Sequence, residues 1–262
     1  MEKSEEYLEF AKEIALEAGK IMKKYFSENG ISSYKGDRTI VTLADKEINS
    51  YLIGKVKEKY PEHSVDGEEE KFGKSKYEWI CDPIDGTAMY ARNVPVAVFS
   101  LAFAIEGNPI VGVVYDPFTD NLYTAIKGKG AYQNNKKITV NNYTLEDMKS
   151  VSHFDSWPTS EYDMSGVIKE IGKKFYFVSI GSIIRASMCV ASGEFTAAIF
   201  PGTVNKNCDI AAAKVIVEEA GGKVTNFFGE DQRYDMSISG AILSNGVVHD
   251  EILETVNKYI KK

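Results

Sequence analysis

The chain has 262 residues and a formal net charge of −7, from 38 acidic and 31 basic side chains. Its length predicts one large domain or two closely packed ones, and its acidic balance argues against binding to a nucleic-acid strand, whose phosphates attract Lys and Arg. Three cysteines without a C-x-x-C pair argue against a disulfide framework or a cysteine-rich zinc site and predict a reducing, cytoplasmic setting.

The N-terminal segment is predicted to be a helix. Its apolar side chains recur every three or four residues from Tyr7 to Tyr25, which places them in one stripe, and residues 29–30 can end the helix. The segment is acidic and lacks the apolar stretch of a signal peptide, and no window of roughly 20 apolar residues predicts a membrane span. After a polar loop or hairpin, a second helix is predicted between Thr42 and Pro61.

The next part of the chain is rich in β-branched and aromatic residues, which predicts strands. A turn is predicted at residues 107–109, so the strands before and after it should form an antiparallel hairpin. Residues 1–140 are therefore predicted to form an N-terminal α+β subdomain with a largely antiparallel sheet. The predicted strands are 77–81, 96–105, 109–116, 121–126, 131–133 and 136–140.

Helical and strand-like segments alternate in the second half of the chain. This alternation predicts an α/β layer, so residues 141–262 are expected to form a C-terminal subdomain. No repeat, low-complexity tract or linker separates the halves, and an extensive shared interface is expected. The predicted helices are 161–172, 182–192, 209–222 and 248–260, and the predicted strands are 175–180, 194–200, 223–227 and 241–244.

Two carboxylates follow a predicted apolar strand in the segment DPIDGT, residues 82–87. Asp82 and Asp85 would lie at the carboxyl edge of that strand, where carboxylates can hold hard divalent cations, and the Ile84 carbonyl offers another oxygen. If a helix begins at residues 86–87, its N–H groups can hold a phosphate. The structural alternative is that one carboxylate caps the loop and the other caps the helix.

Three further acidic positions could join this segment. Glu68 follows a glycine that would let the backbone turn sharply and aim the side chain inward, although a solvated loop also explains the acidic run 66–70. Asp45 with Thr42 matches a capping box at the start of a helix, and Asp209 can cap a later helix. Together these positions supply separated oxygen ligands, and the presence of only three histidines disfavours zinc catalysis.

Other phosphate-handling motifs are missing from the sequence. No G-x-x-x-x-G-K-[ST] segment occurs, which excludes a P-loop. No cysteine precedes an arginine by six positions, as a thiolate phosphatase loop requires. The carboxylates of DPIDGT are three residues apart, whereas aspartyl-phosphate phosphatases place theirs two apart. The spacing of Asp82 and Asp85 therefore places their side chains in a different relation from the carboxylates of that class.

These motifs resemble the inositol monophosphatase/fructose-1,6-bisphosphatase family of Mg²⁺-dependent, lithium-sensitive phosphatases. The resemblance covers almost the whole chain in the right order, and it implies an α+β fold, an alternating α-β-α-β-α layered sandwich. The segments that carry it are VTLAD at 41–45, GEE at 67–69, DPIDGT at 82–87, GVVYDPFTDNLYTAIKGKGAY at 112–132 and CDIAAAKVIVEEAGG at 208–222.

The resemblance also implies a role for individual residues. It implies that Thr87 and Asp45 position and deprotonate the attacking water, with Glu68 also in the catalytic set. The backbone N–H groups of Gly86 and Thr87 would receive the phosphate, beside Asp85 and Asp209. The implied metal ligands are Glu68, Asp82, Asp85, Asp209 and the carbonyl oxygen of Ile84.

The sequence departs from the family pattern on the substrate side. Inositol-type enzymes carry an acidic residue about seven positions before the last metal-binding aspartate, whereas residues 200–206 contain none, and a common tryptophan is replaced by Cys208. Ser182, Arg185 and Lys206 are candidate substrate contacts. The two cations suit a second phosphate, although surface solvation explains them equally well.

The predicted function is hydrolysis of a small sugar or polyol phosphate monoester, fructose 1,6-bisphosphate or inositol monophosphate, by metal-activated water. Two or three Mg²⁺ ions are expected, with Mn²⁺ as a possible substitute and Li⁺ as an inhibitor, and bound cations would offset the acidic balance of the chain. The partners expected are a small phosphorylated metabolite and a second copy in a homodimer or higher homo-oligomer, without nucleic acid or membrane.

Two alternatives remain open. The first is a 3′-phosphoadenosine 5′-phosphate phosphatase, which resembles this family in fold and metal motif. The second is a metal-binding homologue that has lost catalysis. Retention of Thr87 and Asp45 argues against the second, because metal binding alone does not require a pair of residues that position water.

Overall fold

The computed structural model describes residues 2–26, 31–34, 40–155, 162–174, 176–202, 207–238 and 240–260. The helices in this part of the chain are α1 (Glu2–Tyr25), α2 (Leu43–Lys59), α3 (Thr87–Tyr90), α4 (Ser165–Ile171), α5 (Ile183–Ala191), α6 (Cys208–Glu219) and α7 (His249–Tyr259). The strands are β1 (Ile31–Tyr34), β2 (Ile40–Thr42), β3 (Ser64–Gly67), β4 (Lys71–Phe72), β5 (Tyr77–Asp85), β6 (Val98–Ile105), β7 (Asn108–Asp116), β8 (Asn121–Ile126), β9 (Ala131–Gln133), β10 (Lys136–Ile138), β11 (Val151–Phe154), β12 (Tyr176–Val178), β13 (Ala197–Phe200), β14 (Lys223–Thr225) and β15 (Ala241–Ser244).

Eight strands form the larger sheet, in the order β10-β9-β8-β7-β6-β5-β3-β4. Neighbouring strands are antiparallel except β3 and β5, which run parallel. The prediction of a largely antiparallel N-terminal sheet is therefore confirmed. Because parallel strands end at the same edge of a sheet, residue 68, which follows β3, lies beside the last residues of β5, 82–85.

Five strands form the second sheet, in the order β12-β11-β13-β15-β14. β11 runs parallel to β12 and β13, and β15 is antiparallel to its two neighbours. The parallel pairs are reached through helical connections, as expected for an α/β layer. β1 and β2 form a separate antiparallel pair at the hairpin predicted before α2.

Five layers result from the packing of helices against these two sheets. α1 and α2 cover one face of the larger sheet, while α5 and α6 lie between the larger and the smaller sheet. α4 and α7 cover the outer face of the smaller sheet. The predicted α-β-α-β-α sandwich is confirmed.

The sequence of β6 explains how one strand serves two hydrophobic layers. Phe99, Leu101 and Phe103 point toward α1 and α2, whereas Val98, Ala102 and Ala104 point toward α5 and α6. Successive side chains of a strand point to opposite faces, so the bulky residues at odd positions lie on one face and the smaller residues at even positions lie on the other. The alanines on one face leave room for the central helices to approach closely.

The hairpin between β6 and β7 corrects one predicted turn. The turn is formed by Glu106 and Gly107, with φ angles of 52° and 76°, and the strand begins at Asn108, one residue before the predicted start at residue 109. Positive φ at both central residues gives the twist that a two-residue hairpin needs. The proline was mistaken for part of the turn, although it is the second residue of the strand.

Three strands of the two sheets were absent from the sequence prediction. β3 and β4 lie at one edge of the larger sheet and are four and two residues long. β11 lies inside the smaller sheet, between β12 and β13, and is also four residues long. Segments this short carry little periodicity, so their pairing partners rather than their own composition decide their conformation.

The predicted division of the chain at residue 140 falls between the last strand of one sheet and the first strand of the other. A hydrophobic cluster that includes β5, β6, α5 and α6 joins the two halves. Residues 1–140 and 141–262 as subdomains remain a prediction. In the described ranges, no helix has the combination of length and apolar character that crossing a membrane needs.

Acidification is expected to destabilise the protein through His249 at the start of α7. Its ring is buried, with Nδ1 2.9 Å from Ser244 Oγ and Nε2 2.9 Å from Thr225 Oγ1. Burial lowers the pKa of His249 from 6.5 to about 4. The neutral form is favoured in the folded state, so this stabilisation is present above pH 6.5 and is lost as the pH falls toward 4.

The measurement is the free energy of unfolding in urea between pH 7 and pH 4.5. We expect the wild type to lose about 1–3 kcal/mol more than His249→Gln over this range, because glutamine does not acquire a charge. Equal losses in the two proteins would contradict the assignment. The comparison isolates His249 from other titrating groups, which both proteins share.

Candidate functional site

A bulge at the end of β5 brings two carboxylates to one face of the larger sheet. Asp82 pairs with Ser100 of β6 and Asp85 pairs with Val98, so three steps on β5 oppose two steps on β6. Residues three apart on a regular strand point to opposite faces, and the extra residue cancels this difference. Both side chains are buried and both reach toward the helices between the sheets.

Asp85 is held by the N-terminus of α5. Its Oδ2 atom accepts hydrogen bonds from Ser182 Oγ at 2.5 Å and from the backbone N–H of Ile184 at 2.7 Å. Ser182 Oγ also accepts from the N–H of Arg185 at 3.0 Å and caps the helix. Ser182, predicted to contact the substrate, thus orients Asp85 in the described structure. The alternative that a carboxylate of DPIDGT caps the helix beginning at residues 86–87 does not describe Asp85, because Asp85 accepts from the N-terminus of α5 instead.

α6 brings a third carboxylate to the same place. The helix begins at Cys208 and its N-cap is Asn207, so the interpretation of Asp209 as the capping residue is wrong. Asp209 instead lies in the first turn and is buried. A carboxylate oxygen of Asp82, a carboxylate oxygen of Asp209 and Cys208 Sγ all lie within 4.8 Å of one another.

Glu68 follows β3 directly and lies next to the end of β5. Gly67 pairs with Cys81, and the N–H of Glu68 donates to the Cys81 carbonyl at 3.0 Å. The expected sharp turn at Gly67 is wrong, because its φ is not positive. Glycine is needed there for close approach, since a Cβ would lie 2.2 Å from Asn49 Oδ1.

Asn49 of α2 was missed by the sequence analysis, although it shapes the acidic loop. Its Oδ1 accepts from the N–H groups of Glu69 and Glu70 at 3.2 and 3.3 Å, and its Nδ2 donates to the Glu70 carbonyl at 3.0 Å. These bonds account for the conformation that follows Glu68. A buried asparagine on the apolar face of a predicted helix was the available signal, because a buried amide needs partners.

Asp45 sits in the predicted capping box at the start of α2. Its Oδ2 accepts from Thr42 N at 2.7 Å and from Thr42 Oγ1 at 2.6 Å, while Oδ1 is buried and has no hydrogen-bond partner in the part of the chain that is described. Burial raises the pKa of Asp45 to about 7, with a further contribution from the charges of Glu68 and Glu69. Asp45 therefore both caps α2 and lies close enough to the acidic loop to feel the charges of Glu68 and Glu69.

The segment after Asp85 turns into the short helix α3, as the sequence predicts. Gly86 is its N-cap, with φ of 90°, a conformation that favours glycine. Thr87 Oγ1 donates to the Ile84 carbonyl at 2.7 Å. A carbonyl oxygen has two lone pairs, so this hydrogen bond leaves Ile84 with capacity for a second interaction.

The clustered carboxylates create a strongly anionic environment. Burial raises the pKa of Asp85 to about 8, and the charge of Asp209 is the next contribution. Burial also raises the pKa of the Cys81 thiol, with contributions from Asp82 and Glu68. Buried like charges are stable only when a proton or a cation compensates them. The oxygen-rich donors at Asp82, Asp85 and Asp209 therefore fit a divalent cation.

Comparison with known proteins agrees with this geometry. A model of the "Inositol monophosphatase family" matches residues 3–261. A fructose-1,6-bisphosphatase/inositol-1-monophosphatase of Aquifex aeolicus is 35% identical over 276 residues, covering 100% of this chain and 99% of its own. The chain belongs to the inositol monophosphatase family. Its predicted resemblance is thereby confirmed.

Solved structures of inositol monophosphatases share the fold. The enzyme of Thermotoga maritima has a TM-score of 0.84 at 27% identity, with 97% of both chains covered. A dual-specific inositol monophosphatase/NADP phosphatase, bound with D-inositol-1-phosphate, also has a TM-score of 0.84, at 25% identity and 99% coverage of both chains. The layered sandwich described above is therefore the inositol monophosphatase fold.

Arg185 and Lys206 were predicted to contact the substrate of this inositol monophosphatase family member, and the structure describes only Arg185. The guanidinium of Arg185 forms an ion pair with the buried carboxylate of Asp116 on β7, and Nη1 lies 3.5 Å from Thr119 Oγ1. Its charge is therefore already compensated, so its role toward a phosphate remains a prediction. Lys206 lies outside the described residues.

Asp155 is an additional acidic residue near the site that the sequence analysis missed. It directly follows β11, and its N–H donates to the Ile199 carbonyl at 3.0 Å. His153, two residues earlier, accepts through Nδ1 from the N–H of Ile180 at 3.3 Å. Asp155 is buried, and its charge contributes to the raised pKa of Asp85. The signal was absent because β11 itself was not predicted.

Proposed function

We propose that this chain is a Mg²⁺-dependent phosphatase that hydrolyses a small sugar or polyol phosphate monoester. Family membership and the names of its relatives support the broader statement, that the chain is a phosphatase of the inositol monophosphatase or fructose-1,6-bisphosphatase kind. The observation that carries the proposal is the convergence of buried carboxylates from β5 and α6. Such a site holds hard cations, and cations let an acidic protein accept a phosphate ester.

The metal ligands in this proposal come from three parts of the fold. When bound, Mg²⁺ would neutralise the phosphate charge, make water more acidic and stabilise the leaving oxygen. The chain holds the ligands in place through the bulge of β5 and the anchoring of Asp85 by Ser182 and Ile184. The proposed ligands are Glu68, Asp82, Asp85, Asp209 and the Ile84 carbonyl.

Asp45 and Thr87 are proposed to position and deprotonate the attacking water. The Oδ1 atom of Asp45 is buried and lacks a hydrogen-bond partner among the described residues, so it can accept a proton from that water. A pKa of about 7 suits a general base at neutral pH. Thr87 Oγ1, which donates to the Ile84 carbonyl, can accept a hydrogen bond from the water, while Gly86 and Thr87 offer backbone N–H groups to the phosphate.

A bisphosphate and an inositol phosphate both remain candidate substrates. The Aquifex relative carries both activities in its name, and it aligns with the whole of this chain. Residues 200–206 contain no acid, and Lys206 adds a cation, a combination that favours a second phosphate over ring hydroxyls. Fructose 1,6-bisphosphate is therefore our first substrate, with inositol monophosphate as the second.

A nucleotide substrate is the alternative. The neighbour described as a dual-specific inositol monophosphatase/NADP phosphatase covers 99% of this chain at a TM-score of 0.84, so a closely similar fold belongs to a protein named for a nucleotide. 3′-Phosphoadenosine 5′-phosphate is the nucleotide to test first.

Homodimer formation and a cytoplasmic setting stay predictions. The three cysteines are free thiols, as a reducing setting would favour.

An assay of phosphate release from three esters tests this proposal. The purified protein is given fructose 1,6-bisphosphate, inositol monophosphate or 3′-phosphoadenosine 5′-phosphate with Mg²⁺. We expect release from one or both of the first two, abolition of release by a chelator and inhibition by Li⁺. Mn²⁺ is expected to restore activity after chelation, because it also accepts oxygen ligands.

The same assay distinguishes the alternatives. Release from the nucleotide alone would replace the substrate assignment and keep the metal mechanism. Release that survives complete removal of divalent cations would contradict the metal mechanism. No release from any ester, by folded protein that binds Mg²⁺ in calorimetry, would favour a non-catalytic homologue.

A further inference from the structure

A thiol lies among the oxygen donors of the candidate metal site. Cys208 Sγ, a carboxylate oxygen of Asp82 and a carboxylate oxygen of Asp209 lie within 4.8 Å of one another, and all three side chains are buried. A single cation would approach the oxygens at about 2.0–2.2 Å and the sulfur at about 2.3 Å, so its binding would draw the three atoms closer together. The donor set is thus two oxygens and one sulfur, from two elements of the fold.

The position of Cys208 is set by the anchoring of α6. Asn207, immediately before it, donates through Nδ2 to Asp66 Oδ2 at 2.9 Å and to the Tyr234 carbonyl at 2.7 Å. Cys208 also belongs to the hydrophobic cluster between the sheets. Its thiol donates to Asp209 Oδ1 at 3.5 Å. The first turn of the helix therefore presents Cys208 and Asp209 together.

A second observation points to a cation at this place. Asp85 is buried, and its Oδ2 is already anchored by Ser182 and Ile184. Several buried carboxylates in one pocket need protons or a cation to compensate their charges, and a cation can bind all of them at once. The thiol is adjacent to that pocket rather than in a separate part of the core.

We propose that Cys208 is a direct ligand for thiophilic divalent ions, and that the site binds Cd²⁺ and Zn²⁺ in preference to Mg²⁺. On binding, the S–H bond breaks, its proton leaves to solvent and a sulfur–metal bond forms, without oxidation or reduction. Thiolate selects soft and borderline ions, whereas Mg²⁺ takes oxygen ligands. This inference rests on the metal site of the proposed function and adds a donor that distinguishes between ions.

Cadmium binding gives a test that does not depend on catalysis. Chelator-treated full-length protein is titrated with Cd²⁺, and the ultraviolet charge-transfer absorbance of the thiolate–cadmium bond is recorded. We expect a band that saturates at one Cd²⁺ per chain. Cys208→Ser should lose the band and at least about tenfold in Cd²⁺ affinity, since even the outer partners of metal ligands are commonly worth 10–100-fold.

Cys189→Ser is the matched control. Cys189 is a half-buried thiol in α5 and is not part of the group formed by Asp82, Cys208 and Asp209, so this variant should keep the band. Prior addition of excess Mg²⁺ should shift the titration to higher Cd²⁺ in the wild type, because both ions use Asp82 and Asp209. Circular dichroism and melting temperature check that each variant is folded, and Cys208→Ala replaces the serine variant if that one is not.

The outcomes separate this inference from the proposed function. A band that persists in folded Cys208 variants, or a wild type without a band, would overturn the assignment of Cys208. An Mg²⁺-insensitive band would place the thiolate–metal bond outside the carboxylate site and would also overturn it. A band with the expected behaviour in a protein that releases no phosphate would contradict only the phosphatase proposal.

Discussion

Asp85→Asn is expected to lower the turnover of the phosphate ester by at least about 10²–10³-fold, the scale on which removal of one group stabilising the transition state acts. Asparagine keeps the shape of the side chain, and its Oδ1 can still accept from Ser182 and Ile184, which both donate to one oxygen of Asp85. The negative charge that would hold a cation is lost. Initial rates at saturating Mg²⁺, together with the Mg²⁺ affinity, measure the effect.

Loss of folding should not explain this result. The substitution removes a buried carboxyl group whose ionised form is disfavoured by burial and by the charge of Asp209, so the metal-free variant should be about as stable as the metal-free wild type. Asp235→Asn is the control, because it removes a carboxylate that pairs with Arg233 near the surface and should leave turnover within about twofold, as expected for an exposed ion pair. Unchanged turnover in Asp85→Asn would exclude Asp85 from the metal site.

Trp79→Ala is expected to lower the free energy of unfolding by about 3–5 kcal/mol, the usual cost of deleting a buried aromatic side chain. Trp79 is 0% exposed, and its ring centroid lies 4.9 Å from that of Phe10 and 4.7 Å from that of Phe103. Its Nε1 donates to His63 Nδ1 at 3.2 Å. The truncation would therefore leave both a cavity and an unpaired ring nitrogen.

Chemical denaturation with urea measures this loss. Trp79→Phe should cost less than Trp79→Ala, because it keeps most of the ring contacts while still removing the hydrogen bond. Tyr176→Ala, on a side chain that is 70% exposed, should change stability by less than about 0.5 kcal/mol. Similar losses in Trp79→Ala and Tyr176→Ala would contradict tight packing of Trp79 against Phe10 and Phe103.

Elements with a strong local signal were predictable from the sequence. Local patterns of a few residues predict these elements. Examples are the apolar stripe of α1, the capping box of α2 and the strands on either side of the hairpin at Gly107. β5 was predicted to end at residue 81, but it continues to Asp85. That extension depends on pairing with β6 and on a bulge, which no local pattern reveals.

The candidate site was predictable in its residue types and less so in its arrangement. The carboxylates of DPIDGT and the later Asp209 were recognisable because metal chemistry needs oxygen donors in a recurring pattern. Asn49 and Asp155 were not recognised, since their relevance comes from contacts with the acidic loop and with Asp85. The ion pair of Arg185 with Asp116 was not recognised either, because the two residues are far apart in the sequence, and a contact of Arg185 with phosphate stays a prediction.

The sequence by itself determined where most helices and strands lie, through periodicity, and its short motifs carried the resemblance that implied the family, the layered sandwich and the candidate ligands. Only the tertiary structure decided that Cys208 lies beside Asp82 and Asp209, that Ser182 orients Asp85 and that Gly67 is required by Asn49. The physical reason is distance along the chain. These contacts join segments that meet only when the helices pack against the two sheets, and packing is a property of the whole molecule.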